Sequence, residues 1–185
     1  FFDILSNFFY YGLLVYSLLL ISCYLVLALI SLRESVLYMR KNSFVDYKSI
    51  ANSPLAPTIS VIAPAYNEGR TIIENVRSLI SIRYTNYEVI IVNDGSKDDS
   101  LTKLIAAYEL ELCDFPMIEQ LKTMPIKNVY RSANPAYGKI TLVDKENGGK
   151  ADALNCGLNV ARNKLVACVD VDCVLEQDSL LKMVK

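Results

Sequence analysis

The stretch Glu88-Val89-Ile90-Ile91-Val92-Asn93-Asp94-Gly95-Ser96 decides the fold class. Its first half is a nearly continuous apolar run, which is typical of a strand buried on both faces of a sheet. Its second half is polar and contains the turn pair Asp94-Gly95. In open sheets of parallel strands, ligands bind beyond the carboxyl ends of the strands. The stretch therefore predicts a buried strand that delivers a carboxylate to a binding edge.

Strand and helix patterns alternate on both sides of this stretch. The order predicts an α/β fold, with a mostly parallel sheet, right-handed crossovers and helices on both faces. Prolines obscure the part from Cys113 to Tyr137, where one strand is expected near Val129. The other expected strands are Thr58–Ala63 (ended by Pro64), Ile140–Val143 and a buried last strand at Leu165–Val169, and the expected helices are Arg70–Ile82, Asp98–Leu112 and Lys150–Val160.

Three polar clusters directly follow apolar runs, at Pro64–Glu68, Asn93–Ser96 and Asp170–Asp172. Each cluster alone is equally typical of a turn or a helix start. Together, at equivalent positions of the sheet, they indicate a functional site. The two carboxylates of the last cluster offer hard oxygen ligands to Mg²⁺ or Mn²⁺, with a diphosphate supplying others.

Other chemistries are excluded by what the sequence lacks. The chain has no His, which rules out Ser-His-Asp catalysis and His-ligated zinc. An EF-hand starting at Asp94 fails because Asp99 stands where Gly is needed. A phosphate-binding P-loop around Lys150 fails at Ala151, and without a GxGxxG loop a dinucleotide-dependent oxidoreductase is a weak alternative. The five Cys show no metal-type spacing and are expected to be free thiols packed as small apolar residues.

The apolar N-terminal end predicts a membrane helix. Residues 4–32 carry no charge, and roughly 20 apolar residues suffice to cross a bilayer. A signal peptide or a buried core helix is the alternative, but the signal peptide's basic start and cleavage site are missing. Bases follow this run closely, from Arg33 and Arg40 onward, and none precedes it, which predicts an inner-membrane protein whose remainder faces the cytoplasm. Residues 1–33 are then the membrane helix, 34–57 an interfacial helix (Ser35–Ala51) and linker, and 58–185 the α/β domain.

Charge argues against nucleic-acid binding. Of 185 residues, 52% are hydrophobic, and the formal net charge is −1. Asp3 is the only charged residue before Arg33, so residues 33–185 hold all 19 bases and 20 − 1 = 19 acids. A nucleic-acid binder is expected to have a basic excess. The partner that the apolar N-terminal run indicates is membrane lipid, and no nucleic-acid partner is expected.

Four ordered motifs resemble glycosyltransferase family 2. They are Pro64-Ala65-Tyr66-Asn67-Glu68, Asn93-Asp94-Gly95-Ser96, Asn147-Gly148-Gly149-Lys150-Ala151-Asp152-Ala153-Leu154-Asn155 and Asp170-Val171-Asp172. The resemblance covers about residues 57–185 and implies the nucleotide-binding part of a GT-A fold, which is Rossmann-like. With the membrane helix, the chain is similar to the membrane-bound processive polysaccharide synthases, the poly-N-acetylglucosamine and hyaluronan synthase branch.

The resemblance assigns roles to seven residues. It implies that Asp94 reads the base, typically uracil through its N3–H, and that Lys150 lies near the diphosphate. Asp170 is implied to face the ribose or the donor sugar, and Asp172 to coordinate Mg²⁺ or Mn²⁺. The remaining implied nucleotide-pocket residues are Ala65, Tyr66 and Glu68.

The implied activity is that of an inverting glycosyltransferase. It would transfer a sugar, with GlcNAc as the first candidate, from a UDP-sugar to a hydroxyl of a saccharide or polysaccharide acceptor. The family's general base and its Gln-x-x-Arg-Trp motif are expected downstream of Lys185, with the C-terminal part of the domain, so this piece alone is expected to be inactive. The alternative is a non-catalytic, membrane-tethered nucleotide-sugar-binding module.

Overall fold

The computed structural model describes residues 2–42, 56–116 and 119–184. The chain divides into two compact units, residues 1–46 and 47–185. The described residues of the first unit form one helix, α1 (Phe2–Asn42). Within the described residues it is the one helix that is long and apolar enough to cross a membrane, and its apolar stretch is not buried against protein. The predicted interfacial helix falls largely on residues 43–55, which lie outside the described residues.

The second unit is built on a six-stranded mixed sheet in the order β3-β4-β5-β2-β1-β6. The four strands β5, β2, β1 and β6 are parallel, and β4 pairs antiparallel with both β5 and β3. The strands are β1 (Ile59–Ala65), β2 (Tyr87–Asp94), β3 (Leu110–Leu112), β4 (Ile126–Ser132), β5 (Ile140–Lys145) and β6 (Leu165–Cys168). The helices are α2 (Ile72–Ile80), α3 (Ser100–Ala107), α4 (Lys150–Val160) and α5 (Ser179–Met183), with a 3₁₀ turn at Pro135–Tyr137.

Helices cover both faces of the sheet, as the alternating pattern predicts. Buried side chains of α2, α3 and α5 pack on one face, against alternate residues of β1 and β2 such as Val61 and Val89. Helix α4 packs on the other face, where Ala153, Cys156 and Val160 contact a second buried cluster. Because β2 is covered on both sides, its apolar residues form a continuous run rather than an alternating one. The predicted mostly parallel α/β fold is confirmed.

Three local predictions are wrong. Strand β1 does not end at Pro64 but continues to Ala65. The N–H and C=O of Ile62 point toward β6, because the Ile62 carbonyl accepts a hydrogen bond from Val169 N–H. The backbone N and C=O of Pro64, two residues later, point toward the same side of β1. Strand β6 has ended there, so no ladder hydrogen bond is lost.

The other two errors lie at the edges of the sheet. The helix expected to reach Leu112 ends at Ala107, because Glu109 adopts a positive φ of 50° and the chain turns into β3, which pairs with β4. The last strand, β6, is not buried. It is the outer strand of the described sheet, and of its four residues only Ala167 is buried.

The five cysteines are free thiols, as predicted, but their surroundings differ. Cys156 lies on the buried face of α4, and burial raises the pKa of its thiol to about 11. Cys168 and Cys173 are exposed, so the expectation that they pack as small apolar residues is wrong.

Candidate active site

A cavity of about 510 Å³ opens at the carboxyl ends of β1 and β2. It brings together residues from four separate segments of the chain, each of which follows an apolar strand or begins a helix. The cavity contains all seven residues to which the family resemblance assigns a role. Its lining residues are Pro64, Ala65, Tyr66, Glu68, Asp94, Asn147, Gly149, Lys150, Asp170, Val171 and Asp172.

The loop after β1 is fastened to the loop after β2. Asn67, which has a positive φ of 57°, accepts a hydrogen bond from Lys97 N–H at 2.8 Å, and its own N–H donates to Ser96 Oγ at 3.0 Å. Two residues on, Gly69 N–H donates to Asp98 Oδ2 at 2.8 Å. These bonds fix the backbone on both sides of Glu68 and directly after Tyr66. Tyr66 itself remains 45% exposed, so a flat ligand group can reach it.

Asp94 lies at the floor of the site and is held by three donors. Its Oδ1 accepts from Lys145 Nζ at 2.6 Å and from Gly148 N–H at 3.0 Å, and its Oδ2 accepts from Gly149 N–H at 2.8 Å. Its backbone carbonyl also accepts from the Asn147 side chain at 2.8 Å. The loop Asn147–Gly149 is therefore wrapped around the end of β2.

This wrapping requires glycine. Gly95 and Gly149 have positive φ values of 67° and 86°. A Cβ at Gly95 would lie 2.8 Å from Asn147 N, and one at Gly148 would lie 2.5 Å from Asp152 Oδ2. Both contacts are shorter than packed atoms tolerate, so the Gly residues allow the close approach of the two loops.

Lys145 joins Asp94 to a second carboxylate, Asp152. Its Nζ lies 2.6 Å from Asp152 Oδ2 and also donates to the Glu146 carbonyl at 2.5 Å. Lys145 is fully buried, and Asp152 further accepts from Met124 N–H at 3.1 Å. Burial by itself lowers the pKa of the Lys145 ammonium, but the hydrogen bonds and charges of Asp152 and Asp94 outweigh it and raise the pKa above its ordinary value. The lysine is held charged.

Sequence reasoning missed Lys145 and Asp152. The signal for Lys145 was present, because it ends the apolar run of β5 just as Asp94 ends that of β2, and the two are neighbours in the parallel register. A charge that ends a buried strand needs a partner. Which of the nearby acids serves as partner depends on strand order, which the motifs do not state.

Lys150, the first residue of α4, forms an ion pair with Asp170. Both side chains are more than half exposed, and the hydrogen bond that Lys150 donates to Asp170 raises the pKa of the Lys150 ammonium. The pair connects the start of α4 to the loop after β6.

Asp170, Asp172 and Cys173 present a group of exposed ligand atoms within 4.8 Å of one another. The two carboxylates suit Mg²⁺ or Mn²⁺, whereas a Cys sulfur is too soft a donor for these ions. Because Asp170 is paired to Lys150, Asp172 is the candidate of this group, among the described residues, for holding a metal ion together with oxygens of a ligand. The donor set therefore fits a divalent ion shared with a phosphate group.

Comparison with known proteins places these features in one family. The family described as "Glycosyl transferase family 2" matches residues 60–118 and 125–185. The chain is 30% identical over 128 residues to a poly-beta-1,6-N-acetyl-D-glucosamine synthase of Staphylococcus epidermidis, covering 69% of this chain and 24% of the relative. It is 28% identical over 127 residues to the glycosyltransferase GlyG of Streptococcus pneumoniae, covering 68% of this chain and 34% of the relative.

A solved structure shares the architecture. The mannosyltransferase PcManGT of Pyrobaculum calidifontis, in complex with GDP-Man and Mn²⁺, superposes with a TM-score of 0.50 at 25% identity, over 79% of this chain and 37% of that one. The chain thus spans about a quarter to a third of the length of the curated relatives named above. Its mixed sheet and helices are those of a GT-A fold, and the chain belongs to glycosyltransferase family 2.

Proposed function

We propose that this chain is the donor-binding part of a membrane-anchored, inverting glycosyltransferase. It would transfer a sugar, with GlcNAc as the first candidate, from a UDP-sugar to a hydroxyl of a saccharide acceptor during polysaccharide synthesis. The observation that carries the proposal is the cavity at the carboxyl ends of β1 and β2, where the family's motifs converge. The polymer made by the S. epidermidis relative supports GlcNAc and a polysaccharide product.

The chemistry of the lining residues fits the parts of a nucleotide sugar. Asp94 supplies an acceptor for a base N–H, and the exposed Tyr66 ring, with Ala65 and Glu68 beside it, offers a surface for the nucleoside. Lys150 brings positive charge to the diphosphate, and Asp170 faces the ribose or the sugar.

Asp172 would hold Mg²⁺ or Mn²⁺, which when bound offsets the negative charge that builds up on the departing diphosphate. The Mn²⁺ and GDP-Man of the mannosyltransferase are consistent with such a set of ligands. Lys150 adds a second positive charge on the same side, so that the leaving group is stabilised by residues of this chain. Inversion also needs a base for the attacking hydroxyl, and we place that base in the sequence beyond Lys185.

The membrane part of the proposal rests on α1. The helix is apolar on all sides, with no charge between residues 4 and 32, as expected of a helix that contacts lipid. The bases that follow it, starting with Arg33 and Arg40, support the proposal that the glycosyltransferase domain lies on the cytoplasmic side of the cell membrane.

Two measurements test the proposal. In calorimetry, UDP should bind more tightly than CDP, because cytosine has no donor where uracil carries N3–H, and Asp94→Ala should weaken UDP binding about tenfold or more. Asp99→Ala, which removes an exposed carboxylate outside the cavity, serves as the matched control. Equal affinities for UDP and CDP would contradict the assignment.

The second measurement separates the enzyme from the non-catalytic alternative. Membrane vesicles that contain the full-length protein should incorporate radiolabelled sugar from UDP-GlcNAc in preference to UDP-glucose. UDP binding without incorporation from any UDP-sugar would instead favour the nucleotide-sugar-binding module.

A further inference from the structure

The Asp94 carboxylate has one acceptor position left for a ligand. An ionised carboxylate offers about four lone-pair positions, two on each oxygen. Lys145 and Gly148 occupy both positions on Oδ1, and Gly149 occupies one on Oδ2. Within the described part of the chain, the remaining position is therefore on Oδ2.

Lys145 cannot easily release Oδ1. An ammonium has three donors, and those of Lys145 reach Asp94, Asp152 and the Glu146 carbonyl at 2.5–2.6 Å. The side chain is fully buried, so a turn away from Asp94 would leave a charge without a partner in a place that water does not reach. The orientation of the carboxylate and the number of its open positions are thus fixed before any ligand arrives.

We infer that Lys145 determines which nucleobase this cavity accepts, by occupying Oδ1 and leaving Asp94 a single acceptor. Uracil presents one donor, N3–H, between two carbonyl acceptors, and one open acceptor satisfies it. Guanine presents two adjacent donors, N1–H and the 2-amino group, and a carboxylate receives both only through two open oxygens. Lys145 acts through Asp94 and is a positioning residue. The inference rests on the proposed function, namely that the cavity binds a nucleoside diphosphate.

The wild-type chain, in a detergent that covers α1, gives the first test. Calorimetry with UDP, GDP and inosine diphosphate is informative because inosine diphosphate is GDP without the 2-amino group. With only one open acceptor, the 2-amino group gains nothing, and we expect GDP and inosine diphosphate to bind equally within about twofold, both more weakly than UDP. A GDP affinity about tenfold above that of inosine diphosphate would show that both oxygens are open and would overturn the inference.

The second test opens Oδ1. The double variant Lys145→Met/Asp152→Asn removes one cation and one anion, so the net charge of the cluster is unchanged. Asp94 keeps the N–H donors of Gly148 and Gly149, and the amide oxygen introduced at position 152 can still accept from Met124 N–H. We expect the ratio of GDP to inosine diphosphate affinity to rise about tenfold and the ratio of UDP to GDP affinity to fall by a similar factor. Asp152→Asn alone leaves Lys145 on Oδ1 and is the matched control, with wild-type ratios.

The outcomes are distinguishable. A double variant with a native circular dichroism spectrum and wild-type ratios would overturn the inference, and if the variant does not fold, the wild-type comparison decides. If the wild type binds no UDP at all, the proposed function fails first. If it binds UDP but distinguishes GDP from inosine diphosphate, the inference alone fails.

Discussion

Replacement of Asp94 by Asn should destabilise the fold as well as the ligand site. The amide is isosteric with the carboxylate, but both carboxylate oxygens accept hydrogen bonds. Lys145 and Gly148 donate to Oδ1, and Gly149 donates to Oδ2. Whichever way the Asn side chain turns, its NH₂ group meets another donor. The buried ammonium of Lys145 also loses one of its two anionic partners.

The magnitude follows from the burial of the pair. Removal of one partner from a buried ion pair costs roughly 3–5 kcal/mol. Because Asp152 still lies 2.6 Å from Lys145 Nζ, we expect the lower end, about 3 kcal/mol. Against a typical total of about 5–15 kcal/mol, this is a large fraction of the free energy of unfolding.

Equilibrium unfolding in urea measures this loss. The chain has no Trp, and Tyr84, Tyr87 and Tyr108 are buried in the sheet unit, so the change in tyrosine fluorescence on unfolding reports on the loss of that core. Asp172→Asn is the matched control, since the same chemical change at an exposed carboxylate should alter the free energy by less than about 0.5 kcal/mol. A loss below about 1 kcal/mol for Asp94→Asn would refute the reasoning that Lys145 depends on Asp94.

Three further predictions concern the site and the core. Asp172→Asn should abolish the gain in UDP affinity on adding Mn²⁺, compared with EDTA in calorimetry, and an unchanged gain would make this carboxylate structural. Gly157→Ala should lower the free energy of urea unfolding by about 1–2 kcal/mol, because the new Cβ would lie 2.3 Å from Ile62 Cγ2 and overpacking outweighs the gain in helix propensity; a more stable variant would contradict this. Burial raises the pKa of Cys156 to about 11 from 9.0, so the thiol proton is bound more tightly in the folded state than in the unfolded state. The protonated thiol therefore stabilises the fold fully below pH 9, and this contribution to the free energy of unfolding is lost as the pH rises toward 11. Iodoacetamide at pH 8 should therefore modify Cys156 at least about tenfold more slowly than the exposed Cys168, as mass spectrometry of native and urea-unfolded protein can show.

The parts of the fold that could be predicted are those that a short stretch of sequence specifies. A run such as Val89–Val92 is apolar on both faces, and only a strand covered by helices on both sides buries all of it. The candidate site was predictable for the same reason, since each polar cluster directly follows its strand. The parallel arrangement then carries these clusters to one edge of the sheet without any long-range information.

The errors lie where distant pairing overrides a local pattern. Residues 110–112 continue a helical pattern in sequence, but they pair with β4, and the positive φ of Glu109 makes the turn. The pattern of Leu165–Val169 is that of a buried strand, yet β6 has a strand neighbour on one side only within the described sheet. The local sequence of β3 does not specify its partner strand, and the local sequence of β6 does not specify its outer position in the sheet.

Asp94 has two possible roles, one in ligand binding that the motif indicates and one in stabilising the fold that the hydrogen bonds indicate. The motif marks Asp94 as a ligand residue, and three hydrogen bonds mark it equally as the residue that holds Lys145 and the Asn147–Gly149 loop in place. A loss of UDP binding in an Asp94 variant is therefore expected from either role. The two roles separate only when binding and unfolding are measured on the same variants. The base-reading role predicts that selectivity for UDP over CDP is lost even in variant protein that remains folded, whereas a purely structural role predicts that folded variant protein keeps its selectivity and that only the folded fraction falls.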